Sequence, residues 1–553
     1  MAEKEDGGFI GQIRRLSRRL SGNILSADPK DVRAYMARNE SKRSIYSYDN
    51  EDQLRVGGIL LKDLAEEFGT PLYIYDINRI YDNYNLLAGV LKKKNFLLSY
   101  SVRANSNLAV LNILSRLGSG FDVASGGEIA RCLAAGVDPS RITFSGCGKT
   151  QDEIDFAIKS GIYCINAEAW DELNRIESVC VKYNKIQNVS IRINADTHSE
   201  GTMSPGSQHG HSITTQSKYG VPLADALEIY SRVKASSTMR IKGISCRVGT
   251  HVTHLESYLE IRDKLLHLAD ELRQESKICV EHLDFGGEFV GNLNAMNADA
   301  TEISNWIEKI ASPILERGLK LVLDPGINFM ADAGVLLTKI EYIKTNTCHS
   351  KQESFSGTTS PRTGSFISSH GPHYHLKHQF AKRTFAVVDA GFNDFARTAM
   401  LGQSHHIVPV HQQQAVMVGG ITSDFKYDIV GPITDAADVF CRDFTLNHKL
   451  SAGEYLIISD AGSYGSSMSS NFQSRNKSAE ILIIERQPIV IRERQKYEEQ
   501  YSNEKLVPEL KLNSSKIIEE AESQEELIEE SPDTNVEVDV GGGDNETTDD
   551  KKE

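Results

Sequence analysis

Eight short β-branched or apolar runs, each followed by a stretch of helical length and period, restrict what this chain can fold into more than any other feature. The runs are Phe96 to Val102, Gly120 to Ala124, Ile142 to Ser145, Tyr163 to Asn166, Val189 to Asn194, Ile241 to Val248, His282 to Phe285 and Leu321 to Asp324. Between them, stretches such as Leu108 to Leu117, Gly126 to Ala135 and Asp152 to Ser160 repeat apolar residues at helical spacing. A helix joining two strands is a crossover, so the strands it joins run parallel. Eight such units predict an α/β fold, a (β/α)8 TIM barrel.

In such a barrel the chemistry sits at the C-terminal ends of the strands, and phosphate is commonly held after the seventh and eighth. Gly286-Gly287 follows the seventh run and Pro325-Gly326 the eighth, and glycine lets backbone N–H groups approach a phosphate closely. Turn chemistry accounts for either taken singly. The stretch Leu97 to Ser106, which runs on past the end of the first run, places Arg103 and Asn105 at the barrel mouth.

The 553 residues exceed one barrel, and 40% hydrophobic with 25% charged residues is an ordinary globular composition. Residues 1–45 read as a basic arm, in which Arg-Arg-Leu-Ser occurs twice and places Ser17 and Ser21 after arginine pairs, a pattern basophilic kinases favour. Residues 46–81 contain a strand near Tyr73 that joins a β domain, 82–345 are the barrel, and 346–384 are a Ser- and His-rich insertion. Runs from Phe385 to Asp389, Gln414 to Val418, Tyr455 to Ser459 and Ala479 to Ile484 make an all-β domain over 385–498, before an acidic tail at 499–553. His370, His373, His375 and His378 have ligand-like spacing, but no helix signal fixes them, so no metal is expected. The net charge of −15 argues against nucleic acid. Eight cysteines without C-x-x-C spacing, no secretory leader and no long apolar run point to a cytoplasmic protein without a transmembrane segment.

Six strings, in order, carry a resemblance. They are Gly69-Thr-Pro-Leu-Tyr-Ile-Tyr-Asp76, Phe121-Asp-Val-Ala-Ser-Gly-Gly-Glu128, Lys218-Tyr-Gly220, Leu283-Asp-Phe-Gly-Gly287, Val430-Gly-Pro432 and Gly462-Ser-Tyr-Gly-Ser-Ser-Met468. With these the chain resembles the pyridoxal-phosphate decarboxylases with an alanine-racemase-like barrel, the diaminopimelate decarboxylase family above all, and more distantly ornithine and arginine decarboxylases. The resemblance implies a barrel plus a C-terminal barrel-like β domain, a pyridoxal phosphate cofactor, and a homodimer with active sites at the subunit interface.

The family's chemistry needs a lysine for the cofactor aldehyde, a phosphate site, an acid for the pyridine nitrogen and an acid that reprotonates the carbanion. Where the resemblance implies the lysine, this chain reads Tyr100-Ser-Val-Arg103-Ala-Asn105, and a guanidinium supplies no free amine. The implied ring-stacking histidine reads Arg247, before Val-Gly249-Thr250, and the third glycine of the phosphate loop reads Glu288, after Gly286 and Gly287. Asp324, with Gly326 beside it, stands for the pyridine-nitrogen acid, and Thr434-Asp435 for the partner subunit's Cys-Glu pair. Arg397 is kept at the substrate-binding position, and Tyr464 is implied to offer its hydroxyl to the phosphate. Asp122, Glu128, Thr250, Gly286, Gly326, Arg397, Asp438 and Tyr464 are the retained set, expected either to line a pocket for an anion or to support the barrel mouth. Asp122 or Glu128 can also cap the helix that begins there.

The expectation is a divergent, catalytically inactive homologue with a regulatory or ligand-binding role. It pairs with itself or with an active relative, and takes pyridoxal phosphate, if any, without a covalent bond. The alternative is an active decarboxylase of meso-diaminopimelate or a related diamino acid, in which Lys218, Lys149 or Lys426 forms the imine. A third reading is noncovalent capture of a small phosphate-bearing anion by Arg103 and Arg247.

Overall fold

Three short strands come first, β1 (Tyr46–Tyr48), β2 (Leu54–Val56) and β3 (Ile59–Leu60), paired antiparallel in a small sheet; β4 (Leu72–Asp76) follows. The barrel strands are β5 (Phe96–Ser101), β6 (Gly120–Val123), β7 (Ile142–Phe144), β8 (Cys164–Ala167) and β9 (Gln187–Asn194), then β11 (Met239–Arg247), β12 (His282–Gly286) and β13 (Lys320–Leu323), with a two-residue β10 (Val221–Pro222) beside β9. All are parallel, and β8 pairs with β9 at Ile165↔Val189 while β13 pairs with β5 at Leu321↔Phe96, so the eight expected strands close into the expected barrel. This computed structural model describes residues 44–92, 94–195, 218–248, 255–287, 300–346, 383–418 and 421–507. Most of the basic arm, with Ser17 and Ser21, lies outside the described residues, as do Thr250, Glu288, the four insertion histidines and nearly all of the acidic tail.

Local sequence explains the crossover helices. Asn107 caps the helix Leu108–Leu117 through Ala109 N–H, and Gly118 ends it in the left-handed conformation that glycine takes without strain. Thr150 and Glu153 form a reciprocal capping box at the start of Gln151–Ser160, and Gly161 closes that helix in the same way. Ser125, rather than either acid, caps Gly126–Ala134 by accepting from Glu128 N–H.

After the barrel come β14 (Gly334–Asn346), β15 (Arg383–Val388), β16 (Ile407–Pro409), β17 (Met417–Val418), β18 (Ile421–Thr422), β19 (Phe425–Val430), β20 (Val439–Leu446), β21 (Tyr455–Ile458), β22 (Ala479–Ile484) and β23 (Gln487–Arg492). Seven lie in the order β20-β19-β15-β14-β4-β22-β23, and β21 joins β14 to β16. The early strand β4 thus sits inside the second sheet, antiparallel to β14 at Gly334↔Tyr75 and parallel to β22 at Ala479↔Leu72. The expected strand from Gln414 is shorter, because only Met417–Val418 pairs, with β18. One buried cluster runs from Tyr73 and Tyr75 through the barrel to Ile458 and Leu482, so barrel and sheet share a core. These elements belong to the structural unit ending at Gln500.

Candidate functional site

The strand ends deliver four charged side chains to the barrel mouth. Arg103 stands on the 3-10 turn Val102–Ala104 immediately after β5, Asp122 on β6, Arg247 at the end of β11 and Asp324 just past β13. Arg103 Nη1 donates to Asp122 Oδ2 at 2.6 Å, and its Nη2 donates to Ser101 Oγ at 2.7 Å and to Asp324 Oδ2 at 3.3 Å. Arg247 Nη2 donates to Asp122 Oδ2 at 2.5 Å, and its Nη1 is bonded to Asp324 Oδ2. The carboxylates are almost sealed, with side-chain exposures of 2% for Asp122 and 1% for Asp324, against 32% for Arg103 and 15% for Arg247. Two buried anions and two cations neutralise one another, the condition under which buried charge is tolerated.

The electrostatics follow from this geometry. Burial works to raise the Asp122 carboxyl, but Arg247 and Arg103 outweigh it and hold the group below the ordinary carboxylate range. Burial works to lower Arg103, but the Tyr464 phenol and the carboxylates of Asp122 and Glu128 push it above the ordinary guanidinium value. Arg247 is pulled down by burial and by the neighbouring Arg103 and Arg192, from a value so high that the group stays protonated near neutral pH.

Around the tetrad lies a polar network that the sequence reading did not anticipate. Ser145 Oγ donates to Asp122 Oδ1 at 2.5 Å, and Asn166 Nδ2 donates to Ser145 Oγ at 2.9 Å and to Asp284 Oδ2 at 2.7 Å. Ser245 Oγ adds a bond to Asp284 at 3.1 Å. The available signal was a polar residue at or near the C-terminal end of successive apolar runs, which in a closed barrel all point to one mouth.

The remaining expected site residues go elsewhere. Gly287 N–H, which the sequence reading reserved for a phosphate, donates to Asp324 Oδ1 at 2.7 Å. Gly286 ends β12, where an added Cβ would stand 2.7 Å from Asp324 Oδ1, and a Cβ on Gly326 would stand 3.0 Å from that of Ser101. Both glycines therefore serve close packing at the mouth. Tyr464 donates its N–H to Ala104 carbonyl at 2.7 Å and stacks its ring near the Arg397 guanidinium at 5.4 Å. Arg397 donates to Gln403 Oε1 at 2.7 Å and to Ser463 carbonyl at 3.3 Å. Thr434 and Asp435 are exposed on the β domain, where Thr434 bonds Gln473 and Asp435 accepts from Ala437 N–H at 2.8 Å; within one chain they do not join the tetrad. Asp438 is buried and accepts Phe392 N–H and Ile433 N–H, both at 2.7 Å, which ties two loops of the β domain together. Glu128 does not cap the helix as its place beside the helix start suggested; its side chain reaches back to accept Ala124 N–H at 2.7 Å, while Ser125 is the cap.

Of the three lysines considered for an imine, Lys149 is sealed at 1% side-chain exposure. Its Nζ donates to Glu172 at 2.7 Å and to the carbonyls of Gly146 and Asn166. Lys426 lies on β19 of the β domain, and Lys218 is exposed with its Nζ 5.2 Å from the Tyr219 ring centroid. No group of His, Cys, Asp and Glu among the described residues is arranged to hold a metal.

A closed parallel barrel with a β domain threaded by an early strand, and with charged groups gathered at the strand ends, is an α/β barrel with its candidate site at the C-terminal mouth. Residues 77–331 match the family model for the pyridoxal-binding domain of pyridoxal-dependent decarboxylases. Diaminopimelate decarboxylase of Pseudomonas aeruginosa is 33% identical over 466 residues, covering 84% of this chain and 99% of the relative. That of Neisseria meningitidis serogroup A is 34% identical over 443 residues, covering 80% and 96%. The solved diaminopimelate decarboxylase from M. jannaschii in complex with L-lysine superposes with a TM-score of 0.70 at 25% identity, covering 84% of this chain and 98% of that one. The Helicobacter pylori decarboxylase with L-lysine gives 0.65 at 28% identity, covering 80% and 98%. The chain belongs to the pyridoxal-phosphate-dependent diaminopimelate decarboxylase family.

Pyridoxal phosphate is the cofactor this family implies, but the barrel-mouth residues do not fit its covalent mode. Position 103 offers a guanidinium already bonded to two acids and no amine. Asp324 has both oxygens engaged, Oδ1 by Gly287 N–H and Oδ2 by Arg247, Arg103 and Ser101. Oδ2, with three donors, is crowded, and Oδ1, which takes Gly287 N–H, is the oxygen on which a pyridinium N–H would have to be accepted.

Proposed function

We propose that this chain keeps the decarboxylase fold without the decarboxylase's imine chemistry, and acts as a regulatory or ligand-binding protein, paired with itself or with an active relative. The observation that carries this reading is Arg103, whose guanidinium is bound to Asp122 and Asp324. A guanidinium is protonated at every physiological pH, so it has no nitrogen lone pair to attack an aldehyde. We also infer a cytoplasmic setting, in which free cysteines such as Cys147 and Cys279 would stay reduced. The test is to incubate the purified protein with pyridoxal phosphate, reduce with borohydride and map peptides by mass spectrometry. No pyridoxyl-lysine is expected, and a stoichiometric adduct at one lysine overturns the reading.

The second reading, an active decarboxylase, is favoured by the identity of 33% across nearly the whole length of a diaminopimelate decarboxylase. On that reading Lys218 is the candidate amine, since Lys149 is held by Glu172. Carbon dioxide release from meso-diaminopimelate that disappears in Lys218→Met supports it. A ligand-binding role is tested by calorimetric titration with pyridoxal phosphate and with inorganic phosphate, and the absence of heat from both counts against capture of a phosphate anion by Arg103 and Arg247.

A further inference from the structure

Arg247 joins the two halves of the tetrad more deeply than Arg103 does. Both arginines divide their terminal nitrogens between Asp122 and Asp324, but the Arg247 side chain is 15% exposed against 32%. The pair it makes with Asp324 is packed on the backbone of β12. A Cβ on Gly286 would stand 3.0 Å from Arg247 Cγ and 2.7 Å from Asp324 Oδ1. Gly287 N–H holds the other oxygen of Asp324 at 2.7 Å, so that carboxylate is fixed from both sides.

Entry of a planar ring bearing a phosphate needs three things here, and each is opposed. Arg247 must let go of at least one acid, which leaves a carboxylate of 1–2% exposure without one of its cations, a state strongly disfavoured in a protein interior. Asp324 must accept a ring N–H while Gly287 N–H holds its Oδ1 and Arg247 its Oδ2. The phosphate must add negative charge where the cations are already matched by Asp122 and Asp324.

We propose that Arg247 is a specificity-determining lock: by bridging Asp122 and Asp324 it closes the barrel mouth to aromatic aldehyde phosphates of the pyridoxal type, whichever residue stands at position 103. The proposal rests on the reading that no imine forms in this chain, and adds that an amine restored at position 103 does not by itself recover one. Arg103→Lys alone leaves Arg247 across the two acids, and removing Arg247 as well opens the mouth.

The experiment compares wild type, Arg103→Lys and the double variant Arg103→Lys/Arg247→Gln, each incubated with pyridoxal phosphate, reduced with borohydride and mapped by peptide mass. The adduct at position 103 in Arg103→Lys is expected to be at least about tenfold below that in the double variant, because the competent open state is rarely populated while Arg247 bridges the acids. Equal labelling of the two overturns the proposal, and so does a folded double variant that takes no label. An adduct in the wild type overturns instead the reading of the preceding section, so the two failures are distinguishable. Circular dichroism checks each fold. Should the glutamine variant not fold, Arg103→Lys/Arg247→His takes its place, since an imidazolium keeps a cation beside one acid without spanning both. A measurement free of any imine is calorimetric titration of pyridoxal phosphate into Arg247→Gln alone, where affinity at least about tenfold above wild type is expected. Affinity equal to wild type overturns the proposal.

Discussion

At the scale of single residues, burial decides how several acids behave. Asp394 is 3% exposed, and burial raises its carboxyl to about 6 even though Ser478 and Gly391 N–H donate to it. Asp460 is raised to about 6 by burial and by the charge of Asp332. A carboxyl whose folded pKa lies above its unfolded value of about 3.9 holds a proton that the unfolded chain has already released, so stability falls as pH rises from about 4 to about 6. Asp122 has the opposite sign, because its depressed carboxyl contributes stability above the ordinary range that is lost as pH falls through its folded value. Asp394→Asn removes one of the raised groups and keeps an acceptor for Ser478. Its unfolding free energy therefore changes from pH 4 to pH 7 by about 2 kcal/mol more positively than that of the wild type, at about 1.4 kcal/mol per pKa unit. Urea unfolding at the two pH values measures this, and identical changes in both proteins refute it.

At the scale of elements, the loop between β7 and its helix shows how a residue that reads as chemistry in the sequence becomes architecture. Gly146 and Gly148 both take positive φ, which lets the loop turn tightly enough for Lys149 to point inward. Its ammonium then reaches Glu172, on the helix after β8, and the carbonyl of Asn166 on β8 itself, stitching two successive units together. Removing one member of a buried pair leaves the other without its countercharge, so Lys149→Met is expected to cost about 3–5 kcal/mol in urea unfolding. Adding Glu172→Gln should recover part of that loss, since no unpaired charge then remains. Unchanged stability of the single variant would mean that the pair carries no load. This role was not legible because the lysine's partner lies in the next unit, and sequence spacing shows only a lysine after glycines. The helix caps were legible, because Thr150 and Glu153 meet within a single turn.

At the scale of the whole molecule, the chain up to Gln500 is tied together by strand β4 and by the loop of Gly462 to Tyr464. Residues near the start of the barrel and residues more than 380 positions later lie in one sheet, since β4 pairs with both β14 and β22. Asn105, two residues after Arg103, donates to Gly462 carbonyl at 3.1 Å, while a Cβ on Gly462 would stand only 1.8 Å from the carbonyl oxygen of Met330. The β-domain loop is thus packed directly against the backbone of the barrel's last unit. Barrel and β domain are expected to unfold together, in one calorimetric transition whose measured enthalpy equals its van't Hoff enthalpy. Two resolved transitions within that unit refute it. The early strand near Tyr73 was legible as an apolar and aromatic run after the Gly69-Thr-Pro turn, and the later run of strands with glycine turns suggested that it completes the β domain.

The sequence by itself determined the eight parallel units, because strands buried on both faces read as short β-branched or apolar runs and the crossover helices between them repeat apolar residues at a period of 3.6. It also determined that position 103 carries no amine, since that is a matter of residue identity. Only the tertiary structure decided what Arg103 and Arg247 do there. Asp122 and Arg247 are 125 residues apart, and Arg247 and Asp324 are 77 apart, and each pair exists because closing the barrel brings the ends of non-consecutive strands to one low-dielectric mouth. Coulomb attraction acts over distance in space, which no spacing along the chain records.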